Sequence, residues 1–321
     1  MQASLGRRCE QFIENRRRAE RVFVLSAPQM HCACALLLGL NDCDADLFAL
    51  RKGLKTLRRR TPILSTFRGI GITPIATKLS MRDNPELWIN YAKDNLRALK
   101  GVGFPATDYL CLAAFLMIKR HEQAEALAKR TREIYLGMRR AHRILTANED
   151  VCFAVLLAMY EEQGSALEAA EPAFETLKER FGAINAVQMA ANVLLLTGGD
   201  IEEGAREAVR LYDLLRAGGI RLKSKTELGV LAFLAGIEKG GEQTADAILE
   251  TERYLRRQRG FSAMRIGRGQ RLLFAACLVA IDALSKMQDD PAYARLRDTL
   301  QCTMLVTTVL SVVQGMAATG I

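Results

Sequence analysis

An apolar residue that follows a basic or glycine-containing cluster returns at Leu64, Phe104, Ile144, Phe181, Ile220 and Phe261, at intervals of about 40 residues, the length of a two-helix repeat unit. A unit of that length cannot bury its apolar face alone and needs a neighbour stacked against it. The beat therefore restricts the chain to an array of helical hairpins. Composition agrees where it bears on this: Leu, Ala, Glu and Arg dominate, only seven prolines occur, and β-branched runs flanked by turn dipeptides are nearly absent. The expected fold class is all-α, an α-solenoid of about six to seven hairpins.

Residues 3–24 read as one amphipathic helix, with Leu5, Cys9, Phe12, Ile13, Ala19 and Phe23 three or four apart on one face. It defines a first region, 1–28, expected to pack on the array. The repeats fill 29–300, each a short apolar helix followed by a longer amphipathic one. The apolar members are expected near Met30–Leu40, Gly71–Met81, Thr107–Lys119, Asn148–Tyr160, Asn185–Leu196, Thr226–Ile237 and Gly269–Leu284. Being apolar on nearly every side suits a helix held between neighbouring repeats. Residues 301–321 are expected to form an apolar capping helix. Thr303–Ile321 carries no charged side chain and nearly reaches the length of a bilayer span. Its threonines, Ser311, Gln314 and glycines fit a packed helix or a contact between copies better than hydrocarbon, so membrane contact is the lesser expectation.

The amphipathic members open on acid or polar turns, such as Asp83 to Glu86 and Asp200 to Glu203, and close on base. That polarity complements the helix dipole. In a stacked array it would line the basic ends along one edge: Arg58, Arg59, Arg60, Lys100, Arg139, Arg140, Arg143, Arg180, Arg221, Lys223, Arg256, Arg257 and Arg259. The net charge of +9 is compatible with such a rim meeting a polyanion or an acidic partner. Dipole complementation and solubility are the simpler explanation of it.

The segment Ser65-Thr66-Phe67-Arg68-Gly69 and the block from Gly260-Phe261 through Gly267-Arg268-Gly269-Gln270-Arg271-Leu272-Leu273-Phe274 resemble the bacterial domain-of-unknown-function family numbered 4003. The resemblance runs from about Leu5 to about Leu284, with both blocks in the expected order. It implies a helical, cytoplasmic bacterial protein and supplies no catalytic residue. Leu211 to Ile220 is similar to the second helix of pentatricopeptide repeats, which implies a right-handed, tetratricopeptide- or pentatricopeptide-like array. No regular base-reading pair of side chains recurs.

Several clusters invite chemistry. His31, Cys32 and Cys34, with Cys43 beyond them, lack the second ligand pair a zinc site needs. The other cysteines, 9, 111, 152, 277 and 302, are equally scattered, which fits reduced core thiols. His121-Glu122-Gln123-Ala124-Glu125 has Glu125 where a zincin helix needs its second histidine. Glu161-Glu162, Glu202-Glu203 and Asp289-Asp290 read as helix-end acids. No metal or other cofactor is expected. The strongest candidate is Arg265-Ile266-Gly267-Arg268-Gly269-Gln270-Arg271, where glycine-rich backbone entering a helix, among arginines, could cradle an anion. Arg68 in Phe67-Arg68-Gly69 is a second, weaker one. The same arginines could instead cap helices.

Arg7, Arg8, Glu10, Glu14 and Arg16 to Arg18 interrupt the N-terminal apolar run, so no secretory signal is expected. The first functional expectation is a non-enzymatic scaffold binding a protein or peptide. The alternatives are a nucleic-acid-binding solenoid that uses the basic rim and an enzyme whose site is assembled from separated repeats.

Overall fold

The computed structural model describes residues 2–160, 166–220, 225–238, 241–262 and 265–319. Among these the regular structure is entirely helical. The apolar helices are α2 (Pro28–Leu40), α4 (Ile72–Ser80), α6 (Asp108–Leu116), α8 (Asp150–Tyr160), α10 (Asn185–Thr197), α12 (Leu228–Ile237) and α14 (Arg268–Ser285). Between them run the amphipathic helices α3 (Leu47–Arg60), α5 (Pro85–Gly101), α7 (Ala124–Ala141), α9 (Ala166–Phe181), α11 (Ile201–Ala217) and α13 (Gly241–Arg256). Helix α1 (Ala3–Val22) precedes the series and α15 (Tyr293–Thr319) follows it.

Local chemistry sets these boundaries. Side chains of Asp46, Asn84, Thr107 and Asp200 accept hydrogen bonds from the first turns of α3, α5, α6 and α11, each such cap contributing about 1 kcal/mol. Pro28 and Pro85 open α2 and α5, where a missing N–H costs nothing. Gly103, Gly182, Gly198, Gly219 and Gly260 adopt positive φ in the exits. The end of α3 is closed by Arg68, whose guanidinium donates to the carbonyls of Arg58 and Thr61 and to Thr61 Oγ1.

The chain divides into two compact units, Met1–Ile13 with Glu168–Ile321, and Glu14–Leu167. The boundary at Ile13 falls within α1, whose two halves supply side chains to different units. Phe12 packs at a tilt against Phe261 and Phe274 in one. Asn15 brackets the Cys43–Ala45 segment in the other, donating to the Cys43 carbonyl at 3.0 Å and accepting from Ala45 N–H at 2.7 Å.

In the unit that starts at Glu14, α2, α4, α6 and α8 form one layer, and α3, α5 and α7 pack outside it. In the other, α10, α12 and α14 form the inner layer with α11 and α13 outside. Helix α15 packs against α10, α12 and α14 together. It therefore covers the inner layer and does not merely close its last hairpin. Its hydroxyls are satisfied within the helix: Thr303, Thr307 and Thr308 each donate to a carbonyl four residues back. A threonine-rich helix can then be buried without demanding outside partners.

The forty-residue beat divides on folding. Phe104, Phe181, Ile220 and Phe261 are core residues. Leu64 and Ile144 stand in solvent. At the first of these sites a short 3-10 turn, Thr66–Arg68, inserts Phe67 instead, edge-on against Phe115.

Candidate functional site

Helix α6 does not end in a polar turn but runs on into a 3-10 segment, Met117–Gln123, broken at Arg120. The apolar residues Met117 and Ile118 remain buried, which pulls the chain along the core before α7 can begin. The result is a step between α6 and α7 that packs against α5. His121 lies on this step and stacks on Tyr91 of α5, ring centroids 3.7 Å apart. Asn95 anchors α5 from below, donating to the Ala114 carbonyl at 3.0 Å. Between the two outer helices an open groove of about 960 Å³ remains. Ala98, Val102, Ala124 and Ala126 give it small apolar walls. Arg97, paired with Asp94 at 3.0 Å, and Glu122, Glu125 and Lys129 give it charges of both signs.

The other unit carries a smaller polar pocket of about 580 Å³ between α13 and α14, lined by Glu238, Asp246, Glu250 and Asp282. Two of its acids are engaged within the fold. Asp282 is held by Arg8 at 3.4 Å and Lys286 at 2.9 Å, and Glu238 accepts from Thr244 at 3.0 Å.

The glycine–arginine block separates into two roles. Arg271 is buried, pairs with Glu252 at 2.9 Å and donates to the carbonyls of Phe261 and Ile266. Gln270 accepts from Gly267 N–H at 3.2 Å, capping α14. Gly269 faces an internal acid: a side chain there would meet Glu227 Oε1 at 3.2 Å. Burial raises the Glu227 carboxyl to about 7, opposed only in part by a hydrogen bond to its own backbone N–H, because the interior does not replace the water lost around its charge. Only Arg265 and Arg268 of this block are exposed. Arg68, as the cap of α3, is likewise occupied.

The outer helices carry acid at their starts and base at their ends as read from the sequence. Neighbours run parallel, since Phe104 meets Tyr135 beyond α5 and Phe181 meets Tyr212 at the end of α9. Arg58, Arg139, Arg140, Arg256 and Arg257 are exposed. Arg59 and Arg60 instead pair with Glu86. Helix α4, with nine residues, spans only about 13 Å, so α5 starts within reach of them. Arg180 pairs with Asp213. Arg221 and Lys223 lie outside the described residues, as do Glu161 and Glu162.

Among the described residues no group of three His, Cys, Asp or Glu side chains comes together to hold a metal ion. All eight cysteines are free, and only Cys43 is not buried. Cys32 contacts Arg16 and Cys34 contacts Thr77, and burial pushes both thiols up to about 12. His31 Nε2 lies 2.8 Å from the Phe23 carbonyl oxygen. Glu202 and Glu203 pair with Arg206, and Asp290 accepts from Ala292 N–H.

Sequence reasoning passed over Glu227, Asp150, Asp282 and the groove. The three acids carry no signature apart from burial, and the groove depends on how far one inner helix overruns its turn.

The architecture defines an all-α protein of paired inner and outer helices. The chain belongs to the family described as protein of unknown function DUF4003, which it matches over residues 19–318. No curated protein and no solved structure matches it.

Proposed function

We propose that this chain is a non-enzymatic scaffold whose hairpins stack as in an α-solenoid within each unit, and that it holds a protein or peptide partner in the groove between α5 and α7. Two features support the stacked reading. Inner helix α2 packs on α4, α6 on α8, α10 on α12 and α12 on α14, while outer helix α3 packs on α5, α5 on α7 and α11 on α13, and parallel outer helices follow from that order.

The observation that carries the partner reading is the groove itself. It is open, about 960 Å³, and combines small apolar walls with rims of both charges, a chemistry suited to an extended peptide and its side chains.

The test is affinity capture with the tagged full-length chain, with and without nuclease, against an Ala98→Trp/Ala126→Trp variant that fills the groove. Both alanines are at least partly exposed, so the fold tolerates the change. A nuclease-resistant protein captured by the parent and lost from the variant supports the proposal. Identical capture by both sinks it. Nuclease-sensitive capture that falls with salt and disappears in Arg256→Glu/Arg257→Glu would move the function to the basic rim and a nucleic acid.

A further inference from the structure

Five large apolar side chains stand almost free in solvent at loop tips of the unit that starts at Glu14. They are Val24 (73% exposed), Leu25 (95%), Ile63 (81%), Leu64 (97%) and Ile144 (92%). Exposed aliphatic groups cost solubility, and a cluster of them marks a contact surface.

A ladder of hydrogen bonds places these tips on one edge. Ser26 Oγ lies 2.7 Å from Thr73 Oγ1, which sets the 23–27 turn against the start of α4. Gly71 N–H donates to Asp108 Oδ1 at 3.3 Å, which sets the start of α4 beside the start of α6. Cys152 Sγ donates to the Tyr109 carbonyl at 3.3 Å, which sets the start of α6 beside the start of α8. The segments that enter these helices, 23–27, 61–71, 102–107 and 142–148, are thus neighbours. Phe48, also exposed, lies in the first turn of α3, at the opposite end of that helix, and Leu87, less exposed, follows Glu86, which pairs with the end of α3.

The charge on that edge is predominantly positive, with Asp108 and Glu86 as its acids. The four entering segments contain Arg68, His142 and Arg143 and no Asp or Glu. The outer helices that end there contribute exposed Arg58, Lys100, Arg139 and Arg140. Glu149 and Asp150, the first acids beyond 142–148, are buried, and Asp108, half-buried just beyond 102–107, accepts from Gly71 N–H. Aliphatic tips interleaved with arginines match the two layers of an anionic bilayer surface: acyl boundary for the tips, phosphate and carboxylate headgroups for the guanidinium groups. A nucleic acid would use the arginines but leave Leu25, Leu64 and Ile144 in water.

We propose that this edge docks the protein on anionic lipid, with Leu25, Leu64 and Ile144 entering the headgroup boundary and Arg58, Arg139, Arg140 and Arg143 contacting the headgroups. The surface adjoins the α5–α7 groove at Val102, but none of the five exposed aliphatic side chains lines that groove.

Purified full-length chain is sedimented with phosphatidylcholine vesicles and with vesicles that also contain phosphatidylserine. Binding to the anionic vesicles alone is expected, weakened by added salt. Leu25→Ser/Leu64→Ser/Ile144→Ser should reduce it at least about ten-fold with unchanged helicity and melting temperature, since none of the three is buried. Arg140→Glu/Arg143→Glu should reduce it similarly. Val313→Ser/Met316→Ser, at the exposed end of α15, and the groove-filled variant should leave it unchanged. The proposal is overturned if the anionic vesicles capture nothing, if the triple-serine variant binds as the parent does, or if the α15 variant is the one that fails. It is equally overturned if the serine substitutions change only the oligomeric state, which would make the edge a contact between copies.

Discussion

Glu227 and Asp150 are carboxyls that the fold holds in their neutral form up to neutral pH. Burial raises Asp150 to about 8, opposed only in part by the hydrogen bond it accepts from Ala147 N–H, and raises Glu227 to about 7. A carboxyl whose folded pKa lies above its unfolded value binds more protons in the native state. Stability therefore falls as pH climbs from the unfolded value toward the folded one, between about pH 4 and pH 8. Glu227→Gln removes one of these protons from the balance. Between pH 5 and pH 8 the variant should gain on the parent by about 2–3 kcal/mol in urea unfolding; parallel curves at both pH values would refute this. Arg271 makes the opposite case, a charge that must stay. Arg271→Met leaves Glu252 buried without its partner and should cost about 3–5 kcal/mol. Arg271→Met/Glu252→Leu should recover much of that loss, read by the same unfolding curves. None of these three environments is legible in one sequence. Glu227 and Asp150 begin helices like any helix-start acid, and Arg271 looks no different from exposed Arg268 until Glu252 of α13 is folded against it.

At the scale of elements the sequence was far more informative. The apolar helices fall within a few residues of the expected spans, because an all-round apolar stretch of ten or so residues between caps and glycines has no other soluble use. What escaped was the spacing between helices. Gly53 is one instance: a Cβ there would fall on the Ala76 carbonyl oxygen and 3.0 Å from the Ser80 nitrogen. The bare backbone of α3 is what lets α4 approach. Gly53→Ala should force the two helices apart and cost about 1–3 kcal/mol. Gly101→Ala, with open space around it, should be neutral or stabilise slightly, by up to about 1 kcal/mol. Thermal melts of the two variants side by side check the contrast. The 3-10 step before α7 is a second instance. Its sequence, Met117-Ile118-Lys119-Arg120, continues the helix chemically, and only the packing of Ile118 against the core separates it from a longer α6.

For the molecule as a whole, the decisive element is α15. By length and composition Tyr293–Met316 is the one helix among the described residues able to cross a bilayer, yet 72% of its apolar window is buried within the protein. It covers α10, α12 and α14, so a charge in its buried face should act on the whole unit and not on one end. Val306→Asp, at a fully buried position, should cost several kcal/mol, about the penalty of an unpaired buried charge. It should also raise the binding of a hydrophobic dye at pH 7, and a native-like dye signal would show that α15 contributes little to the core. The sequence by itself determined the all-α class, the alternation of apolar and amphipathic helices and the polarity of the outer ones. Those follow from periodicity, caps and charge, which act over a few residues. Tertiary structure decided which members of the forty-residue beat are core and which, like Leu64 and Ile144, are left in water. It also decided which arginines cap helices and which face solvent. Both outcomes depend on neighbours forty or more residues away, and the same local pattern is compatible with either.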